Sequence, residues 1–484
     1  MGSKFIEDAS IDEFHFNKYN IIIEFNKDKY LIVNSLTRAS DILDDETYNL
    51  ISLWNETNFR SREKNEDVFN YFRKRGYITN KSDDIKLDER VKHLFNICEE
   101  NYRISKRFTI IPTYDCNLRC VYCFEKDLWK KGKKWREKVL NKEQVNKIFL
   151  IMEKIRSQNE GVLYLYGGEP LLLKNKDIIL YILEKATNLG YFITIVTNGI
   201  ELKEYLPLIK GYNIKNIQIT LDGIKEIHDK RRINPHGEGS FDQIVESIRR
   251  VKNHHMKTTI RMNLDAESIQ YLKEFYDFLK KEDFIISNDT LLNISPVRFD
   301  KSKWSSNITF DEFFHRLLSI KGHKEYVWSS IQQYASFLYF LDPRSSKAAS
   351  LPQFHHCRAE GSLITFDPHG DIYSCWTTIG EPTYRIGRYM PELKFNEAYN
   401  LWAKRSVFSI AECRECKYFL LCDGGCGYLA YEQHGSIMKS NCDQFISSMK
   451  YIVPYYLEGI FGGEKAKNWE KDGIDENPLY DDPS

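Results

Sequence analysis

The sequence predicts an α/β fold in which a partial (β/α)6 barrel of the TIM type is flanked by two smaller parts. Three observations lead to this prediction. Strand-like and helix-like stretches alternate between residues 107 and 300 in six βα-like repeats. A short unit with strands and helices of its own, resembling a winged helix, occupies residues 1–85. Seven of the eleven cysteines lie after residue 350, in a loop-like segment.

The composition excludes several classes of protein. A chain of 484 residues is enough for about two to four domains. Lys and Arg total 69 and Asp and Glu total 69, which argues against a broadly basic nucleic-acid-binding protein. The sequence has no long apolar run of the kind that spans a membrane, and its first residues hold no apolar signal core. We therefore expect a cytoplasmic protein whose partners include neither nucleic acid nor a membrane.

The first unit combines β-forming runs with amphipathic stretches. Its predicted elements are strands at 19–25 and 29–34 and helices at 45–54 and 66–75. Gly76 is a natural stop for the second helix. This order suggests a winged-helix-like module, and a structural cap on the main domain is the alternative. Residues 86–106 are charged and partly helical, and we expect them to be a linker.

The central segment, residues 107–300, follows a strand–helix repeat. The predicted strands are 108–112, 162–166, 192–197, 214–220, 258–263 and 291–296, and the predicted helices are 141–156, 176–188, 202–210, 241–254 and 267–281. Parallel folds of this kind carry their chemistry at the C-terminal ends of the strands. The remaining predicted parts are a helical bridge at 301–350, a cysteine-rich domain at 351–450, and a C-terminal helix with a flexible tail at 451–484.

The cysteines are clustered, and clustered cysteines in a reducing compartment indicate metal ligands. Cys116, Cys120 and Cys123 follow the first barrel strand with the spacing C-x3-C-x2-C. Structural zinc needs four ligands, so three thiolates in one loop leave a coordination position open for chemistry. A zinc site completed by a distant histidine is the alternative. Cys98 stands alone, and we expect it to be an ordinary buried thiol on a helix.

This cluster, with Tyr122 before its last cysteine, resembles that of the radical S-adenosylmethionine superfamily. The resemblance implies a 4Fe–4S cluster on the three catalytic cysteines and S-adenosylmethionine on the free iron, cleaved to a 5′-deoxyadenosyl radical. It also implies that the cofactor contacts Tyr122 and later strand ends. The other implied cofactor-binding residues are Gly167, Gly168, Glu169, Pro170, Thr197, Asn198, Thr220, Asp222, Arg261 and Asn263. A helix N-cap is the alternative for Asp222.

The late cysteines form a longer pattern. They are Cys357, Cys375, Cys413, Cys416, Cys422, Cys426 and Cys442. Zinc knuckles completed by His355 or His356 are one explanation. The complete pattern resembles the SPASM domain, which implies two auxiliary 4Fe–4S clusters.

The family wiring of the SPASM domain interleaves the late cysteines. It assigns one complete set of four ligands, Cys413, Cys416, Cys422 and Cys442, and one set of three, Cys357, Cys375 and Cys426. The second set implies an open iron, which could bind a substrate thiolate, or a further ligand such as His355 or His356.

The resemblance also implies a function. Radical SPASM enzymes act mostly on peptides, and residues 19–80 are similar to modules that bind a leader peptide by strand addition. We therefore expect a maturase of a ribosomally made precursor peptide that forms a cysteine sulfur-to-carbon thioether, of the ranthipeptide or sactipeptide type. A flavodoxin or ferredoxin would supply electrons. A DNA-binding winged helix is disfavoured because residues 39–51 are acidic.

Three alternatives stay open at this stage. Related maturases form carbon–carbon or carbon–oxygen crosslinks. Formylglycine-type anaerobic sulfatase maturases share the late cysteines but place an Asp directly after the cysteine matching Cys375, where this chain has Trp376. A non-catalytic, zinc-binding interaction protein is the third.

Overall fold

The computed structural model describes residues 13–56, 66–156, 161–285, 290–297, 307–320, 338 and 352–461. Within them lie fifteen strands. In chain order they are β1 (Phe14–Phe16), β2 (Asn20–Asn26), β3 (Lys29–Asn34), β4 (Ser40–Asp44), β5 (Ile78–Asn80), β6 (Arg107–Ile110), β7 (Val162–Leu165), β8 (Phe192–Thr197), β9 (Ile214–Thr220), β10 (Thr258–Leu264), β11 (Thr290–Pro296), β12 (Leu363–Phe366), β13 (Asp371–Tyr373), β14 (Gly387–Arg388) and β15 (Lys394–Phe395).

The same residues contain fourteen α-helices. They are α1 (Asp45–Glu56), α2 (Glu66–Lys74), α3 (Lys81–Ile104), α4 (Lys133–Arg136), α5 (Lys142–Ile155), α6 (Lys176–Asn188), α7 (Leu202–Ile209), α8 (Lys225–Arg231), α9 (Phe241–Asn253), α10 (Leu272–Lys281), α11 (Phe310–Ser319), α12 (Glu397–Lys404), α13 (Gly427–His434) and α14 (Asp443–Phe461). None of the described helices is long and apolar enough to cross a membrane.

A ten-stranded sheet organises the molecule, in the order β11-β10-β9-β8-β7-β6-β12-β13-β14-β15. Strands β6 to β11 are parallel neighbours in chain order, which confirms the predicted α/β fold with a central parallel sheet. Along β8, Ile193 and Ile195 are fully buried, whereas the alternate Val196 faces a cavity. The C-terminal segment joins the sheet through β12, which pairs in parallel with β6.

The N-terminal unit is richer in strands than its sequence indicates. Its three-stranded antiparallel sheet has the order β2-β3-β4, and β1 pairs with β5 in a separate ribbon. The prediction missed β1, β4 and β5, because three-residue strands and the acidic Ser40–Asp44 stretch carry little periodic signal. Both faces of the larger sheet are covered. Ile21, Ile23 and Phe25 join the main core, while Ile22 and Ile32 pack with the unit's own helices.

Residues 86–106, expected to be a linker, belong largely to α3, a 24-residue helix. Asn80 and Asp83 form a capping box at its start. Leu87 and Val91 are buried with Phe354 of the C-terminal segment. Apolar residues repeating at helical spacing outweigh the charges of this segment, so it packs as a structural element. Cys98 lies half-buried on the same helix, and burial raises the pKa of its thiol.

The expected bridge at 301–350 falls mostly outside the described residues, apart from the stretch 307–320, which contains α11, and residue 338. The C-terminal helix α14 begins at Asp443, earlier than the expected 451, and its Ile452, Val453 and Leu457 join the main core. The expected tail after residue 461 lies outside the described residues.

Candidate active site

A cavity of about 450 Å³ opens at the carboxyl ends of the parallel strands. All three cysteines of the first cluster line it, together with most of the residues expected to hold the cofactor. Those lining residues are Tyr122, Gly167, Gly168, Glu169, Thr197, Asn198, Thr220, Arg261 and Asn263. Pro170 and Asp222 do not line it. The parallel topology explains the convergence, because each loop leaves its strand at the same edge.

The first cysteine group lies in the wall of this cavity. Cys116, Cys120 and Cys123 are half-buried and free of disulfides. The Cys116 sulfur accepts hydrogen bonds from the backbone N–H of Leu118 (3.4 Å) and from Nδ2 of Asn198 (3.7 Å). Burial raises the pKa of each thiol, and neighbouring thiols add to this for Cys116 and Cys123. Three such groups in one wall fit a positively charged metal centre, which stabilises thiolates.

The glycine loop after β7 lies directly against the cysteine loop. The N–H of Gly168 donates to Thr113 O (3.3 Å), and that of Glu169 donates to Asp115 O (2.8 Å). A Cβ on Gly168 would lie 2.3 Å from the Asp115 carbonyl oxygen, and one on Gly167, whose φ is +118°, would lie 2.9 Å from that of Thr113. Only glycine permits this approach, so the Gly-Gly pair sets the position of the cysteine loop.

Glu169 fastens this loop to the next strand. Its carboxylate accepts hydrogen bonds from Thr197 Oγ1 (2.6 Å) and from the backbone N–H groups of Asn198 (2.7 Å) and Leu171 (2.8 Å). Burial raises the pKa of Glu169 to about 7 despite these bonds. The side chain therefore holds backbone in place, in addition to bordering the cavity.

Asp222 organises the opposite wall from behind the cavity surface. The fully buried carboxylate accepts hydrogen bonds from Tyr122 Oη and from the backbone N–H (2.9 Å) and Nδ2 (3.2 Å) of Asn263. Burial would raise its pKa, but the guanidinium groups of Arg231 and Arg232 outweigh burial and hold the pKa of Asp222 below its usual value. Helix α8 begins three residues later with Ile224 as N-cap, so the helix-cap alternative for Asp222 is wrong.

Arg232 is a site residue that sequence reasoning missed. It is buried, lines the cavity, and donates from Nη1 to Tyr122 Oη (2.9 Å). Its Nε has no hydrogen-bond partner among the described residues, and Arg231 places its guanidinium 4.8 Å from the Tyr122 ring centroid. Two adjacent arginines at the end of a helix form no recognised motif, so no pattern indicated them. Arg232 and Arg261, which both line the cavity, give it a positive wall suited to a carboxylate or hydroxyl group.

Glu125 is a second residue that the sequence did not indicate. It lies in the short 3-10 helix Phe124–Lys131 and lines the cavity, and its carboxylate accepts no hydrogen bond among the described residues. Burial raises the pKa of its carboxyl to about 8. The other carboxylate among the described residues that line the cavity is that of Glu169, and it already accepts three hydrogen bonds. Glu125 therefore offers the carboxylate that a ligand there can contact.

The loop after Cys375 reaches the same cavity from the C-terminal segment. Trp376 and Thr377 line it. The Trp376 ring stacks on Tyr166, with centroids 4.5 Å apart and planes at 18°, and its Nε1 donates to Thr109 Oγ1 (2.9 Å). The thiols of Cys123 and Cys375 both contribute to raising the pKa of Tyr166, after burial and Glu125. Tyr166 therefore lies between the first cysteine group and the late cysteines.

The late cysteines fall into two groups. In the first, burial and Glu360 raise the pKa of Cys357, and the thiols of Cys426 and Cys375 raise it further. In the second, burial raises the pKa of the Cys413 thiol to about 12, and the thiols of Cys442 and Cys416 raise it further. The pKa of Cys422 is raised by burial and by three neighbouring groups, Asp423, Cys442 and Cys413. The assignment of these thiols to two iron–sulfur clusters stays a prediction.

The two candidate histidines differ in their surroundings. His355 stacks on Tyr102 (4.1 Å between centroids), its Nε2 contacts Glu99, and its Nδ1 lies 3.4 Å from the Glu360 carboxylate. His356 contacts Asp423 through Nδ1 at 2.9 Å. Its Nε2 has no partner among the described residues. Both histidines directly precede Cys357 in the chain, and Nδ1 of His355 has no hydrogen bond among the described residues despite its ion pair with Glu360.

Comparison with known proteins identifies the domain that carries the cavity. The sequence model of the Radical SAM superfamily matches residues 110–279. A cysteine-type anaerobic sulfatase-maturating enzyme of Clostridium novyi is 25% identical over 329 residues, covering 64% of this chain and 85% of that protein. The radical SAM cyclopropyl synthase TigE of Paramaledivibacter caminithermalis is 22% identical over 504 residues, covering 98% of each.

Two solved structures share the fold. Native anSMEcpe with bound AdoMet and the Cp18Cys peptide has a TM-score of 0.56 at 17% identity, covering 73% of this chain and 99% of that one. Streptococcus suis SuiB bound to precursor peptide SuiA has a TM-score of 0.50 at 14% identity, covering 88% and 98%. Residues 110–279 are thus a radical SAM domain, and the chain's relatives include anaerobic sulfatase maturases and TigE.

Proposed function

We propose that the chain is a radical S-adenosylmethionine peptide maturase that joins a cysteine sulfur to a carbon of a ribosomally made precursor peptide. One observation carries this proposal: the loop after Cys375 and the loop of Cys116 border the same cavity. A substrate residue bound there is within reach of both cysteine-bearing segments. The likeness to SuiB and to anSMEcpe, whose structures hold the peptides SuiA and Cp18Cys, supports a peptide as substrate.

Cys116, Cys120 and Cys123 would hold a 4Fe–4S cluster, with S-adenosylmethionine beside the glycine loop. When bound, the reduced cluster and S-adenosylmethionine would supply a 5′-deoxyadenosyl radical, which takes one hydrogen atom from substrate carbon and leaves as 5′-deoxyadenosine. The cysteine thiol would lose its proton as its sulfur bonds to that carbon, and the remaining electron would pass to an auxiliary iron–sulfur cluster held by the late cysteines. The positive wall of Arg232 and Arg261 suits the carboxylate of the cofactor. Tyr166 and Trp376 present a flat apolar surface that excludes water from the reacting carbon.

The N-terminal unit is the proposed leader-peptide site. Strand β4 is an edge of the sheet β2-β3-β4, and the other edge strand, β2, contacts α14. An extended peptide adding to β4 would gain backbone hydrogen bonds along one side, which is the physics of strand addition. The part of the precursor peptide that follows the leader, which carries the residue to be modified, would then continue toward the cavity.

The test is the intact mass of a peptide encoded beside this gene, after anaerobic co-expression with the enzyme, with free thiols counted by alkylation. Thioether formation removes two hydrogens and one alkylatable thiol per crosslink. Loss of two hydrogens with every thiol still free would show that the crosslink is not a thioether, and would indicate a carbon–carbon or carbon–oxygen bond instead. An unchanged mass would contradict the assignment as a peptide maturase.

A formylglycine-type sulfatase maturase is the second candidate, favoured by the likeness to the Clostridium novyi enzyme. Such oxidation needs a base near the substrate side chain. Trp376 offers none, whereas Glu125 lines the cavity without a hydrogen-bond partner among the described residues. Incubation with a sulfatase-derived peptide distinguishes the two functions, because a new aldehyde detected by hydrazide labelling would favour the sulfatase activity.

A further inference from the structure

We propose that Arg405 is a positioning residue, whose buried guanidinium holds together three backbone segments that carry late cysteines. Arg405 directly follows α12, and its side chain is fully buried. The segments belong to both late groups, which are the Cys357 group (Cys357, Cys375 and Cys426) and the Cys413 group (Cys413, Cys416, Cys422 and Cys442). The proposal rests on the proposed function in one respect, because this arrangement serves iron–sulfur clusters only if the late cysteines hold them.

The first segment is the loop 422–426, which has a late cysteine at each end, one from each group. Arg405 donates a hydrogen bond from Nη2 to Gly424 O (3.1 Å). Gly427, just after the loop, lies against the guanidinium, since a Cβ there would be 3.0 Å from Arg405 Nε. The loop is therefore fixed to Arg405 by a hydrogen bond and by close packing.

The second segment leads into Cys442. Arg405 donates from Nε to Ile437 O (2.5 Å) and from Nη2 to Lys439 O (3.0 Å). The backbone N–H of Asn441 in this segment donates to the same loop carbonyl that Arg405 binds (3.1 Å). The second segment is thus held both to Arg405 and to the first segment.

The third segment carries Cys357. Arg405 donates from Nη1 to Glu360 Oε1 (2.5 Å), and neither of the two side chains is exposed to solvent. Oε2 of Glu360 accepts the backbone N–H of His356, the residue before Cys357 (2.9 Å). A buried guanidinium needs a compensating charge, so Arg405 and Glu360 act as one unit that reaches the Cys357 loop.

One side chain thus joins segments that lie 19 to 45 residues from it in the sequence. Four of the five N–H donors of a guanidinium are used, and its planar fork directs them to separate acceptors. Without Arg405, three backbone carbonyls and the Glu360 carboxylate would lose a buried donor. Because these acceptors belong to both late groups, we expect the two groups to loosen together.

The test compares full-length chains reconstituted anaerobically with iron and sulfide. They are the wild type, Arg405→Gln, Arg405→Lys and the control Arg75→Gln. Arg75 lies far from the late cysteines in the sequence and also makes a partly buried ion pair, donating to Asp41 (2.9 Å) and to Ser40 O (3.1 Å). Iron is counted in each chain, and the rate at which iodoacetamide alkylates each thiol is measured by mass spectrometry.

In Arg405→Gln we expect iron to fall from about twelve to about four atoms per chain, as both auxiliary clusters are lost. The remaining EPR signal of the reduced chain should be the one that changes when S-adenosylmethionine is added. Cys422 and Cys426 should be alkylated about 10-fold faster, with Cys116 unchanged. Arg405→Lys keeps the charge opposite Glu360 but loses the fork of donors, so its iron content should lie between these values. Arg75→Gln should match the wild type.

Three results would overturn the role of Arg405. They are about twelve iron atoms in Arg405→Gln, unchanged alkylation of Cys422 and Cys426, and an equal acceleration at Cys116, which would mean that the whole fold has loosened. If Arg405→Gln does not fold, the same criteria apply to Arg405→Lys. A wild type with about four iron atoms would contradict the auxiliary clusters of the proposed function, and the alkylation rates of its late thiols against those of the variants would still decide the role of Arg405.

Discussion

Replacing Gly168 by alanine tests whether the glycine loop sets the position of the cysteine loop. The new Cβ would lie 2.3 Å from the carbonyl oxygen of Asp115 and 2.5 Å from that of Tyr114. Ordinary contacts begin near 3.4 Å, so this backbone has to retreat by about 1 Å. Both atoms belong to the segment that leads directly into Cys116, and neither is the end of a flexible side chain.

The cost follows from this geometry. Overpacking against rigid backbone destabilises a fold by about 1–3 kcal/mol. A misplacement of about 1 Å in a catalytic loop lowers the rate on the order of 100-fold. We therefore expect Gly168→Ala to melt at lower temperature, to bind less iron at the first cysteine group, and to release 5′-deoxyadenosine about 100-fold more slowly.

The assay measures 5′-deoxyadenosine by chromatography, alongside iron content and melting temperature. Gly211→Ala is the matched control, because a Cβ there has no heavy atom within 4 Å. If Gly168→Ala cleaves S-adenosylmethionine at the rate of Gly211→Ala with a full iron complement, the close approach of the two loops does not position the cysteines and the reasoning is wrong.

Three further predictions concern single side chains. Cys116→Ala should abolish 5′-deoxyadenosine release, and retained release would contradict the radical mechanism. Trp376→Ala loses one stacking contact and one hydrogen bond. The yield of peptide product should therefore fall about 10-fold, while the rate of S-adenosylmethionine cleavage stays within a few-fold. An equal fall in both would refute a substrate-facing role. Burial raises the pKa of Asp367 from 3.8 to about 7, so the folded protein keeps a proton there that the unfolded chain releases. The wild type should therefore lose stability as pH rises from about 4 to 7, and Asp367→Asn should melt with a flatter pH profile; identical profiles would contradict the burial argument.

Local patterns were sufficient to predict much of the fold and the first cysteine group. The six parallel strands are runs of β-branched and apolar residues separated by helical stretches, and each signal is contained within one short window. Cys116, Cys120 and Cys123 are also local, since one loop carries all three. The strands β1 and β5 were missed because three residues are too few to show a period.

The contacts that complete the cavity are not local. Trp376 reaches Thr109 across 267 residues of sequence, and Arg232 meets Tyr122 across 110. Such pairs depend on how loops from distant strands converge, and no spacing within one segment encodes that. The pairing of His356 with Asp423, 67 residues apart, is a further example.

Because both faces of the N-terminal sheet are buried, the N-terminal unit cannot be removed or exchanged between related proteins without a cost in stability. Ile21, Ile23 and Phe25 share a core with Val453 and Leu457 near the other end of the described chain, so the first and last described segments are interlocked. Excising residues 1–85 would expose the apolar surface that these side chains cover and so destabilise the rest of the protein. Grafting the unit onto a relative would leave its own apolar face without a complementary surface. Under the proposed function, a change of peptide specificity is therefore better sought by redesigning the edge strand β4 than by exchanging whole modules.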